Sequence, residues 1–295
     1  MTPARSPAAT PQSSVTSPSP CLAGYWYVVA PLAALSDDPV VRMVGGQRLS
    51  VCLGPDGHPV DTEQGAPLKA SDGFAWMAWG DRPASPPPRL ELPNRRGYRL
   101  IHHTVPAPAD FRLALENSLD LIHSSFVHTL TQPSWYLRRL PGLPPVEVAY
   151  QATTDGLEVE ARLWGRVIFR QRFHLPDRIW LQILPESPVT VELEVHHVPE
   201  SPTSCRMEIT LGHPTLRQPP PRLALADRLL KLHCQDLAVL EAQQRTLSLP
   251  GTPFTERHCA ADAYTLLMRR ILDLAAAGQW PPADLGERRV VHIRL

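Results

Sequence analysis

The sequence predicts an α+β fold in which a meandering antiparallel sheet is closed by a long C-terminal helix, and three observations carry that expectation. Between residues 146 and 211, apolar and polar side chains alternate in six runs: VEVAY, LEVEARLW, VIFRQRF, IWLQIL, VTVELEVHHV and CRMEITL. Alternation is the period of a strand with one face buried and one wet. Turn signals such as Asp155-Gly156 and Pro176-Asp177 punctuate the runs. Residues 223–245, LALADRLLKLHCQDLAVLEAQQR, then take up helical spacing, with Leu225, Leu229, Leu232 and Leu240 on one stripe.

Taken in order, residues 1–20 are mostly Pro, Ser, Thr and Ala with one Arg, a composition that predicts a disordered tail and lacks the apolar centre of a secretory signal. The Pro-rich break RPASPPPR at 82–89 divides an N-terminal lobe, 21–88, from a larger domain, 89–280. A second break, HPTLRQPPPR at 213–222, leads into the helix, and 281–295 reads as a C-terminal tail. The 295 residues are 43% hydrophobic with a formal net charge of zero. Without a basic block there is no support for nucleic acid or an anionic membrane as partner. No apolar run approaches the roughly 20 residues that span a bilayer. Cys21, Cys52, Cys205, Cys234 and Cys259 are odd in number and unpaired in spacing, as expected of reduced thiols in the cytoplasm, with Cys234 and Cys259 as small hydrophobes on helices.

The chemistry concentrates at residues 116–128, ENSLDLIHSSFVH. Leu115, Leu119, Ile122 and Phe126 trace the core stripe of a helix, with Asp120 and His123 one turn apart beside it. His128, five residues beyond His123, points about 140° away on an ideal helix, so joint ligation requires the helix to end, bulge or bend between them. Thr131-Gln132-Pro133 favours an ending. Two imidazoles and one carboxylate with open positions make a mononuclear non-haem iron site. Asp236 falls on the core stripe of the long helix, where an ionised carboxylate is costly unless paired or coordinating a cation. A buried ion pair with Arg or His is the alternative reading of Asp236. His102-His103 and His196-His197 lie on strands, where neighbours face opposite sides, and read as surface or satisfied core positions, with His102-His103 able to make supporting contacts. Trp135, Tyr136, Trp164 and Phe173 are candidates to line a pocket or to pack in the core.

The spacing N-x-x-D-x-x-H-x-x-x-x-H, here Asn117, Asp120, His123 and His128, resembles the iron-binding motif of Rieske-type non-haem iron oxygenases. Four fixed positions recur by chance in roughly one of every few thousand chains of this length, so the match is specific. QDLAVLEAQQR around Asp236 and HCAADAYTLLMRRIL from His258 resemble the vanillate and dicamba demethylase branch, and GYWYVVAPLAAL at 24–35 is similar to the opening strand of that family's Rieske domain. The resemblance implies a helix-grip catalytic domain holding Fe(II) through His123, His128 and Asp236, with dioxygen as co-substrate. Asp120 and Asn117 would be its catalytic positions, with Asp120 relaying electrons by a hydrogen bond to a ligand histidine. The implied reaction is hydroxylation, or O- or N-demethylation with release of formaldehyde, of a small aromatic or heterocyclic substrate in a trimeric assembly.

The departure from the family lies in the N-terminal lobe. A Rieske cluster takes two cysteines and two histidines from two loops. At the first loop this chain reads DTEQGAPL, residues 61–68, with Asp61 and Glu63 at the ligand positions. From KAS it then runs directly into DGFAWMAWG at 72–80, so the second loop is missing. The [2Fe-2S] cluster is therefore expected to be absent, and electrons to come from a Rieske-bearing reductase or oxygenase partner in a homo- or hetero-trimer. The alternative is a non-catalytic paralogue that supports an intact oxygenase.

Overall fold

The computed structural model describes residues 21–80, 85–128, 142–186, 190–214, 222–249 and 255–294. The predicted tail 1–20 and the candidates Trp135 and Tyr136 lie outside the described residues. Six short strands come first: β1 (Trp26–Pro31), β2 (Val40–Val44), β3 (Gln47–Leu53), β4 (Pro59–Asp61), β5 (Leu68–Ser71) and β6 (Phe74–Ala78). They form two three-stranded antiparallel sheets, in the orders β1-β6-β5 and β2-β3-β4.

Strand β7 (Tyr98–Ala107) precedes the helices α1 (Phe111–Leu119) and α2 (Ser124–Val127). The six alternating runs then appear as β8 (Val146–Thr153), β9 (Gly156–Leu163), β10 (Arg166–His174), β11 (Arg178–Ile183), β12 (Val191–Ser201) and β13 (Ser204–Pro214). Helices α3 (Arg222–Leu247) and α4 (Ala263–Ala276) and strand β14 (Arg289–Ile293) complete the chain. One antiparallel sheet collects eight strands in the order β14-β8-β9-β10-β11-β12-β13-β7. The 281–295 stretch, expected as a tail, thus supplies an edge strand, with Ile293 opposite Val146. Its RVVHI is too short for its alternation to register against the flanking arginines.

Alternation sorts the two faces of this sheet. Val148, Tyr150, Leu157, Val159, Phe173, Ile179 and Ile209 pack with Phe111, Leu115, Leu119, Tyr264, Met268 and Leu272 of the helices into one buried core. Phe173 is therefore a core residue. Trp164 is 62% exposed at the tip of the β9–β10 hairpin, where it and Gly165 both take positive φ (49° and 74°), the backbone of a tight two-residue turn. The pocket role considered for it does not fit that position. In place of one closing helix, α3 and α4 share the helical layer with α1.

The opposite face is not uniformly wet. Over β12 and β13 it carries buried Glu192, Glu194 and Glu208. Each has a donor: Gln182 Nε2 to Glu192 at 3.0 Å, Arg178 Nη1 to Glu194 at 2.6 Å, and His102 Nε2 to Glu208 at 2.9 Å. The N-terminal strands cover this patch, with Phe74 edge-on to His102 and Trp76 edge-on to His196, each at 5.3 Å between ring centres. The Gly45 amide donates to Pro199 O at 2.7 Å. Period-2 reasoning places these glutamates on the polar face correctly, but only the folded chain shows that face to be covered, with pairing that offsets the cost of burying charge. No helix among the described residues is long and apolar enough to cross a membrane.

Candidate metal centre

Helix α1 starts under a cap, the Asp110 carboxylate accepting from Arg112 N at 2.7 Å. It stops at Leu119 because Asp120 leaves the helical region (φ −68°, ψ 106°) and its carboxylate accepts from Ile122 N at 2.8 Å, a local turn that competes with the helix. The break therefore falls before His123, not between the two histidines, and His123 and His128 flank the single turn of α2. The same shift of register explains the failed end of the core stripe. Leu115 and Leu119 are fully buried, whereas Phe126 is 52% exposed and Leu121 is buried instead.

His123, His128 and Asp236 come together. Their ligand atoms all lie within 4.8 Å of one another, the only such group among the described residues. Asp236 Oδ1 stands 3.4 Å from His128 Nε2 and 3.6 Å from His123 Nε2. The longer of these exceeds a hydrogen bond, and Oδ1 is shielded from solvent with no hydrogen-bond partner. The buried pair with Arg considered for Asp236 does not appear among the described residues. Three facts fit a cation between these groups: an orphaned buried carboxylate oxygen, two imidazole Nε2 atoms turned toward it, and Nδ1 atoms engaged elsewhere. His123 Nδ1–H donates to the carbonyl oxygen of Asp120, and His128 Nδ1–H to Gln235 Oε1 at 3.1 Å. Such bonds fix the tautomer in which Nε2 carries the lone pair that ligates a metal. Burial lowers the His128 pKa, with the Asp236 charge opposing, so the neutral ligand form is favoured.

Asp120 supports His123 through its main chain, not through the carboxylate hydrogen bond that the resemblance implies. Its carboxylate lies 3.5 Å from the Tyr264 hydroxyl, and burial raises its pKa against the opposing charge of His123. Asn117 sits half-buried on α1, and no side-chain hydrogen bond ties it to the triad among the described residues. Its neighbour Ser118 anchors α1 to the sheet, its Oγ donating to His197 Nε2 at 2.8 Å and its main-chain carbonyl accepting from Gln171 Nε2 at 3.1 Å. His197 Nδ1–H donates to Asp177 O, and burial pushes its pKa down to about 4, making it a neutral strut of the core. Cys234 and Cys259 are exposed rather than packed as small hydrophobes.

At the first-loop position, Asp61 is buried and saturated by main-chain donors. Oδ1 accepts from Ser50 N at 2.9 Å and Glu63 N at 3.3 Å, and Oδ2 from Gln64 N and Ala66 N, each at 3.1 Å. Burial opposes its ionisation, but these four bonds prevail and lower its pKa. Glu63 is exposed and pairs with Arg48. Neither side chain is arranged to hold a cluster.

Residues 135–278 match the vanillate O-demethylase oxygenase C-terminal domain. The match spans a little under half of the chain. The match to an oxygenase domain supports an oxidoreductase and embraces Asp236 and both helices α3 and α4. No curated protein matches the chain by sequence. Among solved structures, dicamba monooxygenase bound to dicamba is similar with a TM-score of 0.69 at 15% identity, covering 87% of this chain and 98% of that one. Pseudomonas putida CBB5 NdmA with caffeine has a TM-score of 0.63 at 14% identity, covering 87% and 92%. At such identities the likeness speaks to the fold.

Two partly buried histidines lie near the centre, His103, which the sequence offers as a supporting contact, and His233, which sequence reasoning missed. His233 lies one turn before Asp236 on α3, a spacing that could have signalled it. His103 faces the helices with Nε2 unpartnered rather than resting as a satisfied core residue.

Proposed function

We infer that the protein is a mononuclear non-haem iron oxygenase component that hydroxylates or demethylates a small aromatic or heterocyclic substrate. The observation that carries this reading is the triad of His123, His128 and Asp236, with the Asp236 Oδ1 orphaned between two Nε2 atoms whose tautomers are already set. A ferrous ion held there would activate dioxygen. The chain's own part is to keep both imidazoles neutral, to present one carboxylate oxygen and to shield the centre under α3. Dicamba and caffeine, the ligands of the similar structures, carry O-methyl and N-methyl groups on a ring, which supports the demethylase form of the reaction.

Asp61 and Glu63 do not suit a [2Fe-2S] cluster, so the electrons are assigned to a separate Rieske-bearing partner, a reductase or an oxygenase subunit in a homo- or hetero-trimer. The test is metal analysis followed by single turnover. The expected result is iron without acid-labile sulfide, and product from substrate and oxygen only when a reduced cluster-bearing partner is added. Multiple turnover without any iron-sulfur protein would overturn the electron-supply scheme. Bound iron with no turnover alongside any cluster-bearing partner would make the chain a non-catalytic paralogue.

A further inference from the structure

The polar face of the large sheet, covered by the N-terminal strands over β12 and β13, keeps its side chains partly exposed over β9 and β10. A cavity of about 480 Å³ lies there, with Glu91 and Arg95 on one side, Arg288 on the other, and Gln151, Arg170 and Arg172 between them. Alternation along β10 fixes which side of the sheet this is. Phe173 packs in the core and Gln171 donates to Ser118 O of α1, so Arg170 and Arg172 point away from the helices and the metal centre.

Four arginines line the cavity, and two of them are held by acids of their own. Arg172 bonds Glu91 at 2.8 Å and Glu158 at 3.0 Å, with its guanidinium 5.2 Å from the centre of the Trp180 ring. Arg95 bonds Glu192 and the Tyr98 hydroxyl. The other two are differently placed. Arg170 engages through Nε alone, with Glu160 at 3.1 Å, and Arg288 through one Nη alone, with the same carboxylate at 3.5 Å. Arg162 takes Glu160 as well, at 2.8 and 3.0 Å.

Three guanidinium groups thus share one carboxylate, and among the described residues no other acid pairs with any of them. The local excess is two positive charges. Burial opposes the ionisation of Glu160, but the hydrogen bonds from Arg170 and Arg162 prevail and lower its pKa. A surface ladder of ion pairs matches each base to an acid, as Arg172 and Arg95 do; this cluster does not. Both Nη atoms of Arg170 and the remaining nitrogens of Arg288 have no protein acceptor among the described residues. Planar forks with free N–H groups are the geometry that takes an oxyanion in parallel, charge-assisted bonds.

We propose that this cavity is a second ligand site, on the far side of the sheet from the metal centre, where Arg170 and Arg288 clamp an oxyanion, the phosphate or carboxylate group of a small organic molecule. Its volume is within the range of small-molecule sites. Because the sheet stands between the two sites, the occupant is a molecule other than the one oxidised.

The test is calorimetry on the full chain at fixed ionic strength, with glycerol 3-phosphate and succinate as probes. Wild type should bind at least one of them with a Kd of about 1 mM or below. Arg170→Gln and Arg288→Gln should each weaken that binding about tenfold. Arg170→Lys, which keeps the charge and loses the fork, should fall between wild type and Arg170→Gln. Glu160→Gln, which removes the acid competing for the same forks, should tighten binding about threefold or more. Arg48→Gln deletes one positive charge from an exposed pair on the N-terminal lobe and should bind as wild type does. Glycerol 3-phosphate alone would assign a phosphate ester, succinate alone a carboxylate, and both an oxyanion of either kind. Binding of neither probe, wild-type affinity in both Gln variants at 170 and 288, no gain in Glu160→Gln, or an equal loss in Arg48→Gln would overturn the proposal. Loss of binding in Asp236→Ala would place the anion on the metal and overturn it too.

Discussion

Two buried aspartates, Asp61 and Asp236, show how the same side chain serves opposite ends. Both occupy positions that are expected to face a metal in the family the sequence resembles. Asp61 is closed upon itself, its two oxygens accepting from four main-chain amides of one turn and one strand. Asp236 is open, with Oδ1 buried, unbonded and facing two imidazole nitrogens. A carboxylate that completes its own hydrogen bonding stabilises a fold and has nothing left for a cation. One held apart from donors is destabilising until a cation arrives. The difference lies in the backbone around each residue. At 61–66 a turn directs amides inward, whereas at 236 the helix has already bonded its amides to its own carbonyls.

The largest effect should come from the open site. His123→Ala, His128→Ala or Asp236→Ala should reduce bound iron from about one per chain to near none by metal analysis. Iron retained at wild-type stoichiometry in any of the three would remove that residue from the ligand set. At the closed site, Asp61→Ala leaves four amides without their charged acceptor and should cost about 2–3 kcal/mol in chemical denaturation, with iron content unchanged. An Asp61 variant that loses iron would erase the contrast.

Acid should separate the two sites further. The folded pKa of Asp61 is lowered, so its contribution to stability is complete above the unfolded value of about 3.9 and is lost as pH falls toward the folded value. Stability curves of wild type and Asp61→Asn should therefore converge below about pH 4. Curves that stay parallel would mean that the four amide bonds do not favour the charged form.

Smaller still is the effect expected of Asp120→Asn. The hydrogen bond to His123 comes from the main-chain carbonyl and survives the substitution, and an amide oxygen can still accept from Ile122 N. Most of the iron should remain, with a stability change below about 1 kcal/mol and lowered turnover when a cluster-bearing partner supplies electrons. Iron loss equal to that of Asp236→Ala would make the Asp120 carboxylate a ligand. Least of all, Glu63→Ala removes only an exposed pair with Arg48 and should shift stability by no more than about 0.5 kcal/mol.

The six central strands, the polar and apolar faces of the sheet, and the position of Asp236 on a buried helical stripe were legible in the sequence, because hydrophobic periodicity records which side of an element meets the core. The triad was legible too, since the spacing of Asp120, His123 and His128 and the place of Asp236 on a core stripe single those residues out. Tertiary structure alone decided the rest. The break at Asp120 depends on a carboxylate choosing a local amide over the helix, which spacing does not register. The burial of Glu192, Glu194 and Glu208 depends on a second layer folding over a face that alternation marks only as polar. The strand at Arg289–Ile293 forms because the edge of β8 is there to receive it. The saturation of Asp61 and the bare Nε2 atoms of His103 and His233 belong here as well. A sequence names donors and acceptors, but which of them meet is fixed only when distant segments pack.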